Sequence, residues 1–129
     1  MILHEFEIPI YKLPITMTII ESKNDWKEFH NLLKKMNLPK DVIDEERERI
    51  LKEYVNGART FFNFKYKKVL VVIYPHEDFL TMLGSIAHEK RHIEDDLAKQ
   101  IDLVGDEAMA YLAGALAIEM YKPVISKTK

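Results

Sequence analysis

Two histidines and a glutamate stand close together in the run His88-Glu89-Lys90-Arg91-His92, which has the pattern H-E-x-x-H. On a helix, side chains four residues apart project from one face, so the two imidazoles can bind one divalent metal from the same side. Imidazole nitrogen suits zinc, and a site with three protein ligands keeps a fourth position for water or substrate. Glu89 lies one residue further round the helix, where it can take a proton from a water that the metal activates. The run therefore predicts a zinc-dependent hydrolytic centre.

A simpler interpretation of the same run is a solvated helix face that holds two histidines by chance, since charged residues surround them. The residues one turn earlier, Gly84 and Ser85, favour a functional interpretation. Small side chains there let another backbone or a substrate come close, which fits a cleft better than a solvated surface.

The H-E-x-x-H run falls within a predicted helix over residues 78–99, whose apolar stripe is Phe79, Met82, Ile86, Ile93 and Leu97. A last helix is predicted over residues 106–121. It is apolar all round and rich in alanine, so we expect it to be mostly buried. Its first turn carries Asp106 and Glu107. A carboxylate at the start of a buried helix is costly unless a cation or a metal meets it.

The remaining elements are strands and two short helices. Alternating apolar residues predict two strands within residues 5–20, and Pro9 and Pro14 place the first of them at an edge or a bulge. Residues 59–64 and 67–74 predict two more strands. The second is a continuous β-branched run, which indicates a strand inside the sheet or covered on both faces. Helical spacing marks residues 26–36 and 41–54.

Composition limits the class of protein. The chain has 129 residues, which is room for one domain, and its net charge of −2 gives no basic surface for nucleic acid. The absence of cysteine excludes disulfides and thiolate zinc sites. No signal peptide is evident, and the most apolar window, residues 108–120, is too short to span a membrane. We therefore expect a cytoplasmic protein without a membrane partner, with a frayed basic tail over residues 122–129.

The H-E-x-x-H run, together with the segment E-A-M-A-Y at residues 107–111, resembles the zincin metallopeptidases whose third zinc ligand is a glutamate on the following helix. The resemblance implies that His88, His92 and Glu107 bind zinc and that Glu89 is the general base. Tyr111, one turn after Glu107, is the candidate partner of the transition-state oxyanion. The strand before the motif helix, residues 67–74, would be the edge that binds an extended substrate. The chain is also similar to minimal zincin-like proteins of phages and mobile elements of gut bacteria, which share an Ile-Pro-x-Tyr-like start, here residues 8–11.

The sequence departs from these families in two respects. The metzincin continuation requires glycine at position 95 and histidine at position 98, and Asp95 and Ala98 exclude that branch. The interval from His92 to Glu107 is shorter than in the large glutamate-ligand peptidases. Other third ligands therefore stay open, namely Asp106, Asp102, Asp96 and His76.

Together these patterns predict one α+β domain over residues 1–129, in which a small, mainly antiparallel sheet packs against the H-E-x-x-H helix and a buried C-terminal helix. The predicted function is zinc-dependent hydrolysis of peptide bonds in a peptide or protein substrate. The alternative is a catalytically inactive zincin-like domain that binds metal or a protein partner in a phage or mobile-element assembly. The oligomeric state is left open.

Overall fold

The computed structural model describes residues 1–8, 11–100 and 105–127, and they form an α+β domain of three layers. The middle layer is a four-stranded sheet of β1 (Ile2–Ile8), β2 (Leu13–Ile19), β3 (Ala58–Asn63) and β4 (Lys68–Ile73). One outer layer holds α1 (Trp26–Lys35) and α2 (Lys40–Leu51), and the other holds α3 (Phe79–Gln100) and α4 (Asp106–Lys127). The predicted fold class, with a mainly antiparallel sheet, is confirmed.

The strand order is β1-β2-β4-β3, so β4 lies inside the sheet. The outer pairs β1–β2 and β3–β4 are antiparallel, and the central pair β2–β4 is parallel. Residues 69–73 are fully buried, which confirms the interior position that the β-branched run predicts. The expectation that residues 67–74 form the substrate-binding edge is wrong, because β4 has a partner strand on each side. The edge strand on that side of the sheet is β3.

One core lies between the sheet and the helices α3 and α4. From α3 it receives Ile86, Ile93 and Leu97, and α4 contributes the i, i+4 series Leu112, Leu116, Met120 and Val124. Helix α3 packs over β3 and β4, whereas α4 packs against α3 and β1. The two helices are also joined by Lys90, whose ammonium donates to Glu94 Oε2 and reaches the carbonyl of Ala113 at 3.5 Å.

The opposite core, under α1 and α2, encloses an ionisable group. Glu46 of α2 is fully buried, accepts a hydrogen bond from the Tyr74 hydroxyl and lies 3.1 Å from Arg59 Nη1 and 3.6 Å from Arg49 Nε. Burial raises the pKa of Glu46, although the hydrogen bond from Tyr74 and the two guanidinium groups oppose the shift. The group ties α2 to the end of β4.

Helix α4 differs from its prediction at its end and on its surface. It continues through Pro123 to Lys127, where the sequence predicts a frayed tail from residue 122, because the buried side chain of Val124 anchors the last turns in the core. Only its inner face is buried, whereas Tyr111 and Ile118 on its outer face are exposed. Among the described residues, Asp106–Ser126 is the one helix long and apolar enough to cross a membrane. A core helix can pass the same test of length and composition, and the inner face of α4 lies in a core.

Candidate metal centre

One face of the first half of α3 carries the candidate centre. The carboxylate of Asp78 caps the helix, accepting hydrogen bonds from the backbone N–H and the hydroxyl of Thr81 at 2.7 and 2.8 Å. From Thr81, the helical spacing then brings Gly84, Ser85, His88 and Glu89 along one surface. The buried apolar residues of α3, namely Ile86, Ile93 and Leu97, point into the core on the other side.

His88 and His92 meet on this face. Their Nε2 atoms lie 3.0 Å apart, and their ring planes meet at 77° with centroids separated by 4.7 Å. Two nitrogens bound to one tetrahedral metal at about 2.0–2.1 Å stand about 3.3 Å apart, so the observed pair fits a shared metal closely. The side chain of His88 is 70% exposed, which leaves the pair open to solvent and to a ligand.

Glu89 completes a three-residue group that could hold a metal ion. The ligand atoms of His88, Glu89 and His92 all lie within 4.8 Å of one another. Glu89 Oε2 is 3.9 Å from His88 Nε2, whereas an oxygen and a nitrogen on one tetrahedral metal stand about 3.4 Å apart. The carboxylate is thus slightly too distant to be a third direct ligand of a metal that the two histidines would hold.

Thr60 of the edge strand β3 fixes this carboxylate. Its hydroxyl donates to Glu89 Oε1 at 2.9 Å, so the other oxygen, Oε2, is directed towards the histidines. Glu89 is only 5% exposed, although the histidines on either side of it are exposed. A positioned side-chain carboxylate is one of the groups that can serve as a general base.

The centre opens into a groove of about 500 Å³ between α3 and the segment that leads into the start of β3. Tyr54, Gly57 and Ala58 form one wall, and α3 forms the other with Gly84, Ser85, His88 and Glu89. Gly84 is exposed and has no atom near the position of a Cβ, so the groove passes over it. This arrangement fits the cleft that the small residues Gly84 and Ser85 indicate.

The predicted third ligand, Glu107, does not join the pair. Glu107 is exposed in the first turn of α4, and its carboxylate does not belong to the group of His88, Glu89 and His92. Ala113 of α4 lies beside Lys90, and Glu107 is six residues earlier, about 9 Å along the helix. The role of Glu107 stays a prediction. Asp106 and Asp96 are also outside the group, and Asp102 lies outside the described residues.

Tyr111, the candidate oxyanion partner, lies elsewhere. It lines a different groove, formed by α4 and the end of β1 at Glu7 and Ile8. Because β1 and β3 are the two opposite edges of the sheet, this groove is remote from the one that holds Glu89. Its catalytic role is therefore unsupported by its placement.

Sequence reasoning misses one polar residue of the groove region, Thr60, and does not predict the contact between His76 and Ser85. Thr60 reaches Glu89 only because β3 and α3 pack together. His76 Nδ1 lies 2.6 Å from the carbonyl of Tyr74, and its Nε2 lies 2.7 Å from Ser85 Oγ. Since a carbonyl can only accept, Nδ1 donates to the carbonyl of Tyr74, and Nε2 is left to pair with the Ser85 hydroxyl. Both ring nitrogens are thus engaged, which explains why His76 is not part of the metal-binding group.

Comparisons of this chain with protein-family models, with curated proteins and with solved structures give no match. The functional assignment therefore depends on the geometry of the centre.

Proposed function

We propose that the protein is a zinc-dependent peptidase of the zincin type, with His88 and His92 as metal ligands and Glu89 as general base. One observation carries the proposal. The two imidazole Nε2 atoms lie 3.0 Å apart beside a carboxylate that Thr60 orients, within an open groove. On an ordinary solvated helix face, a glutamate between two exposed histidines would be exposed as well. Here it is buried, and a hydroxyl from a neighbouring strand donates to it.

Zinc is the metal that the donor set favours. Imidazole nitrogens with a carboxylate are typical zinc ligands, and the chain offers no thiolate that would select a softer metal. A bound zinc ion would supply Lewis-acid activation of water and of the scissile carbonyl. We retain Glu107 as the proposed third ligand, since the resemblance to glutamate-ligand zincins assigns that role to it.

The groove suits an extended peptide as substrate. In the described chain, β3 pairs on one side only, with β4, so its other side offers backbone donors and acceptors to a peptide strand. Thr60 of this strand contacts the general base, and Ala58 lines the groove, so a peptide along β3 would lie beside Glu89. Glu89 Oε2 would take the proton of the attacking water and return it to the leaving amine.

The experiment that tests the centre is elemental mass spectrometry on protein purified without chelator or affinity metal. We expect about one zinc per chain, and its loss in His92→Ala and Glu107→Ala. His30→Ala is the matched control, because His30 stacks on Trp26 and has no place in the metal-binding group. Retention of zinc in Glu107→Ala would show that a residue other than Glu107 is the third ligand. No zinc in the wild type, even after zinc is added, would overturn the proposal.

A second function, metal binding without catalysis, is favoured by the exposure of the centre. The side chain of His88 is 70% exposed, so the metal-binding pair is accessible to solvent without a bound substrate. Glu89→Gln separates the two functions, because it removes the base and keeps an acceptor for Thr60. Glu94→Gln is the control, since Glu94 is another buried carboxylate of α3, 5% exposed like Glu89. If the peptidase proposal holds, only Glu89→Gln abolishes cleavage of an unfolded protein such as casein. Equal cleavage by both variants would contradict it.

A further inference from the structure

The outer face of α4 is unusual for the surface of a soluble domain. Glu107, Tyr111, Gly114, Ile118 and Lys122 recur at helical spacing, and all five are exposed. Their positions are opposite the buried series that begins at Leu112. Tyr111 is 43% exposed and Ile118 is 67% exposed. A helix on a domain surface normally has polar residues here, so an apolar face between two charged ends indicates an interaction surface. We call these five residues the outer face.

The outer face forms one wall of a groove. A cavity of about 450 Å³ runs between α4 and the end of β1, with Ala110, Tyr111, Gly114 and Ile118 on one side and Ile8 on the other. The middle of the outer face is Gly114, where no atom lies near the position of a Cβ. Another helix can therefore approach closely at the centre, and its larger side chains can enter the groove.

The charges and the order of residues on this face identify the occupant. An acid begins the face, and a base ends it, about 22 Å further along the helix. When a second α4 is turned through a two-fold axis, its acidic end meets the basic end of the first. In this register Glu107 faces Lys122 of the second copy, Tyr111 faces Ile118 of the second copy, and Gly114 faces Ala115 of the second copy. The large apolar side chains thus fall opposite one another, and the small residues fall at the crossing point.

We propose that the outer face of α4 is a homodimer interface, in which two copies of the chain pair their α4 helices in antiparallel orientation. Antiparallel pairing also opposes the two helix dipoles, which is favourable. Lys122 keeps its contact with Glu119 at 3.1 Å, and its ammonium has further hydrogens to donate. The interface does not involve the groove of Glu89, because α4 packs at β1 and the Glu89 groove lies at β3. Glu107 is the one residue that the zinc proposal and the dimer proposal both use, and a Glu107 that pairs with Lys122 of a second copy is not the third zinc ligand.

A lipid surface is the other occupant that an apolar helix can have, and the outer face fits it less well. A helix that lies on a membrane typically has basic residues along its flanks, whereas this face has an acid at one end and a base at the other. The opposite charges at its two ends are complementary only to a partner with the reverse order. A second copy, turned by the two-fold axis, has that order.

The size of the interface predicts a modest affinity. Helix α4 has 22 residues and is about 33 Å long, so a pair of such faces is at the small end for specific interfaces. We therefore expect a dimer that forms in the micromolar range and dissociates on dilution.

Sedimentation velocity and light scattering, from about 1 to 200 µM, test the proposal. The wild type should move from the chain mass of 15.2 kDa towards twice that value. Ile118→Glu places a charge at two symmetric points of the interface and should weaken the dimer on the order of 100-fold or more. Leu80→Glu is the matched control, because Leu80 is an apolar residue of α3 that is 78% exposed and lies outside the outer face. This variant should dimerise like the wild type.

Charge reversal tests the register. Lys122→Glu should weaken the dimer about five-fold, since like charges then meet at both ends. Adding Glu107→Lys to it should restore the affinity to within about two-fold. Because the readout is mass and Ile118 is not a proposed metal ligand, the result for Ile118→Glu does not depend on whether the centre at His88 binds zinc. A monomeric wild type at all concentrations, an unaffected dimer in Ile118→Glu, or flotation of the wild type with lipid vesicles would each overturn the proposal.

Discussion

Replacement of Thr60 by valine tests the link between the edge strand and the candidate base. The Thr60 hydroxyl donates to Glu89 Oε1 at 2.9 Å, and Glu89 is only 5% exposed. Valine has nearly the shape of threonine and an equally high strand propensity, so the change removes the hydrogen bond and little else. It leaves Glu89 Oε1 buried without its hydrogen bond.

The structure sets the expected magnitude. A hydrogen bond to a charged group contributes about 1.5–3 kcal/mol, and the half-buried Thr60 places this bond near the lower end. We expect the free energy of unfolding to fall by about 1.5 kcal/mol, which is roughly a tenfold change in the folding equilibrium. If Glu89 is the base, the turnover number for peptide cleavage should fall by about the same factor, with little change in KM.

Urea unfolding followed by the fluorescence of Trp26, which is the single tryptophan of the chain, measures the stability change. Thr60→Ser is the control, because it keeps the hydroxyl and should retain most of the stability. The reasoning would be refuted if Thr60→Val lost less than about 0.5 kcal/mol relative to Thr60→Ser, since the hydrogen bond would then contribute nothing measurable.

Three further predictions concern the two cores and one turn. Burial raises the pKa of Glu46, so the stability that this carboxyl contributes is greatest below its ordinary pKa and is lost as the pH rises through the raised value. Glu46→Gln should therefore gain stability relative to the wild type as urea titrations move from acidic to neutral pH. Ile86→Ala removes a fully buried side chain and should cost about 2–5 kcal/mol in the same assay. Lys67 has a left-handed backbone with φ 53°, so Lys67→Gly should raise the stability in thermal unfolding by up to about 1 kcal/mol.

For each of these three predictions, one experimental result would contradict it. A stability difference between Glu46→Gln and the wild type that stays constant with pH would show that the carboxyl does not titrate with folding. Leu80→Ala, on the exposed side of α3, should change the stability by less than about 0.5 kcal/mol, and a loss equal to that of Ile86→Ala would contradict the assigned core. Lys65→Gly serves as the control for Lys67→Gly, because Lys65 does not have a positive φ and should be destabilised by glycine.

Local periodicity is enough to predict the helices and strands, and also the face of α3 that carries His88 and His92. The helix that contains His88 and His92 follows from its apolar stripe, and the spacing of the two histidines predicts their convergence. The interior position of β4 follows from its run of β-branched residues. These features depend on neighbours within one or two turns or along one strand, where the sequence and the side-chain direction are directly related.

The features that the sequence does not predict depend on pairing between distant segments. Which strand forms the edge beside α3 is decided by the parallel pairing of β2 with β4, which leaves β3 outermost. Thr60 becomes a partner of Glu89 only through that order. Composition predicts that α4 is buried but cannot tell one face of the helix from the other, so it does not predict the exposure of Ile118. In the same way, Pro123 predicts the end of the helix. The helix nevertheless continues to Lys127, because Val124 is buried in the core.

The central position of β4 has a consequence for how the protein unfolds. Alternate side chains of this one strand enter different cores, with Val69, Val71 and Ile73 on the side of α3 and Leu70 and Val72 on the side of α1. Withdrawal of β4 would therefore expose both cores in one step, and neither helical layer would keep a partner. The hairpins β1–β2 and β3–β4 can each form from neighbouring segments, but only the ladder between β2 and β4 joins them. The three layers should thus melt as one cooperative unit, and the association of the two hairpins should be the late, slow event in folding.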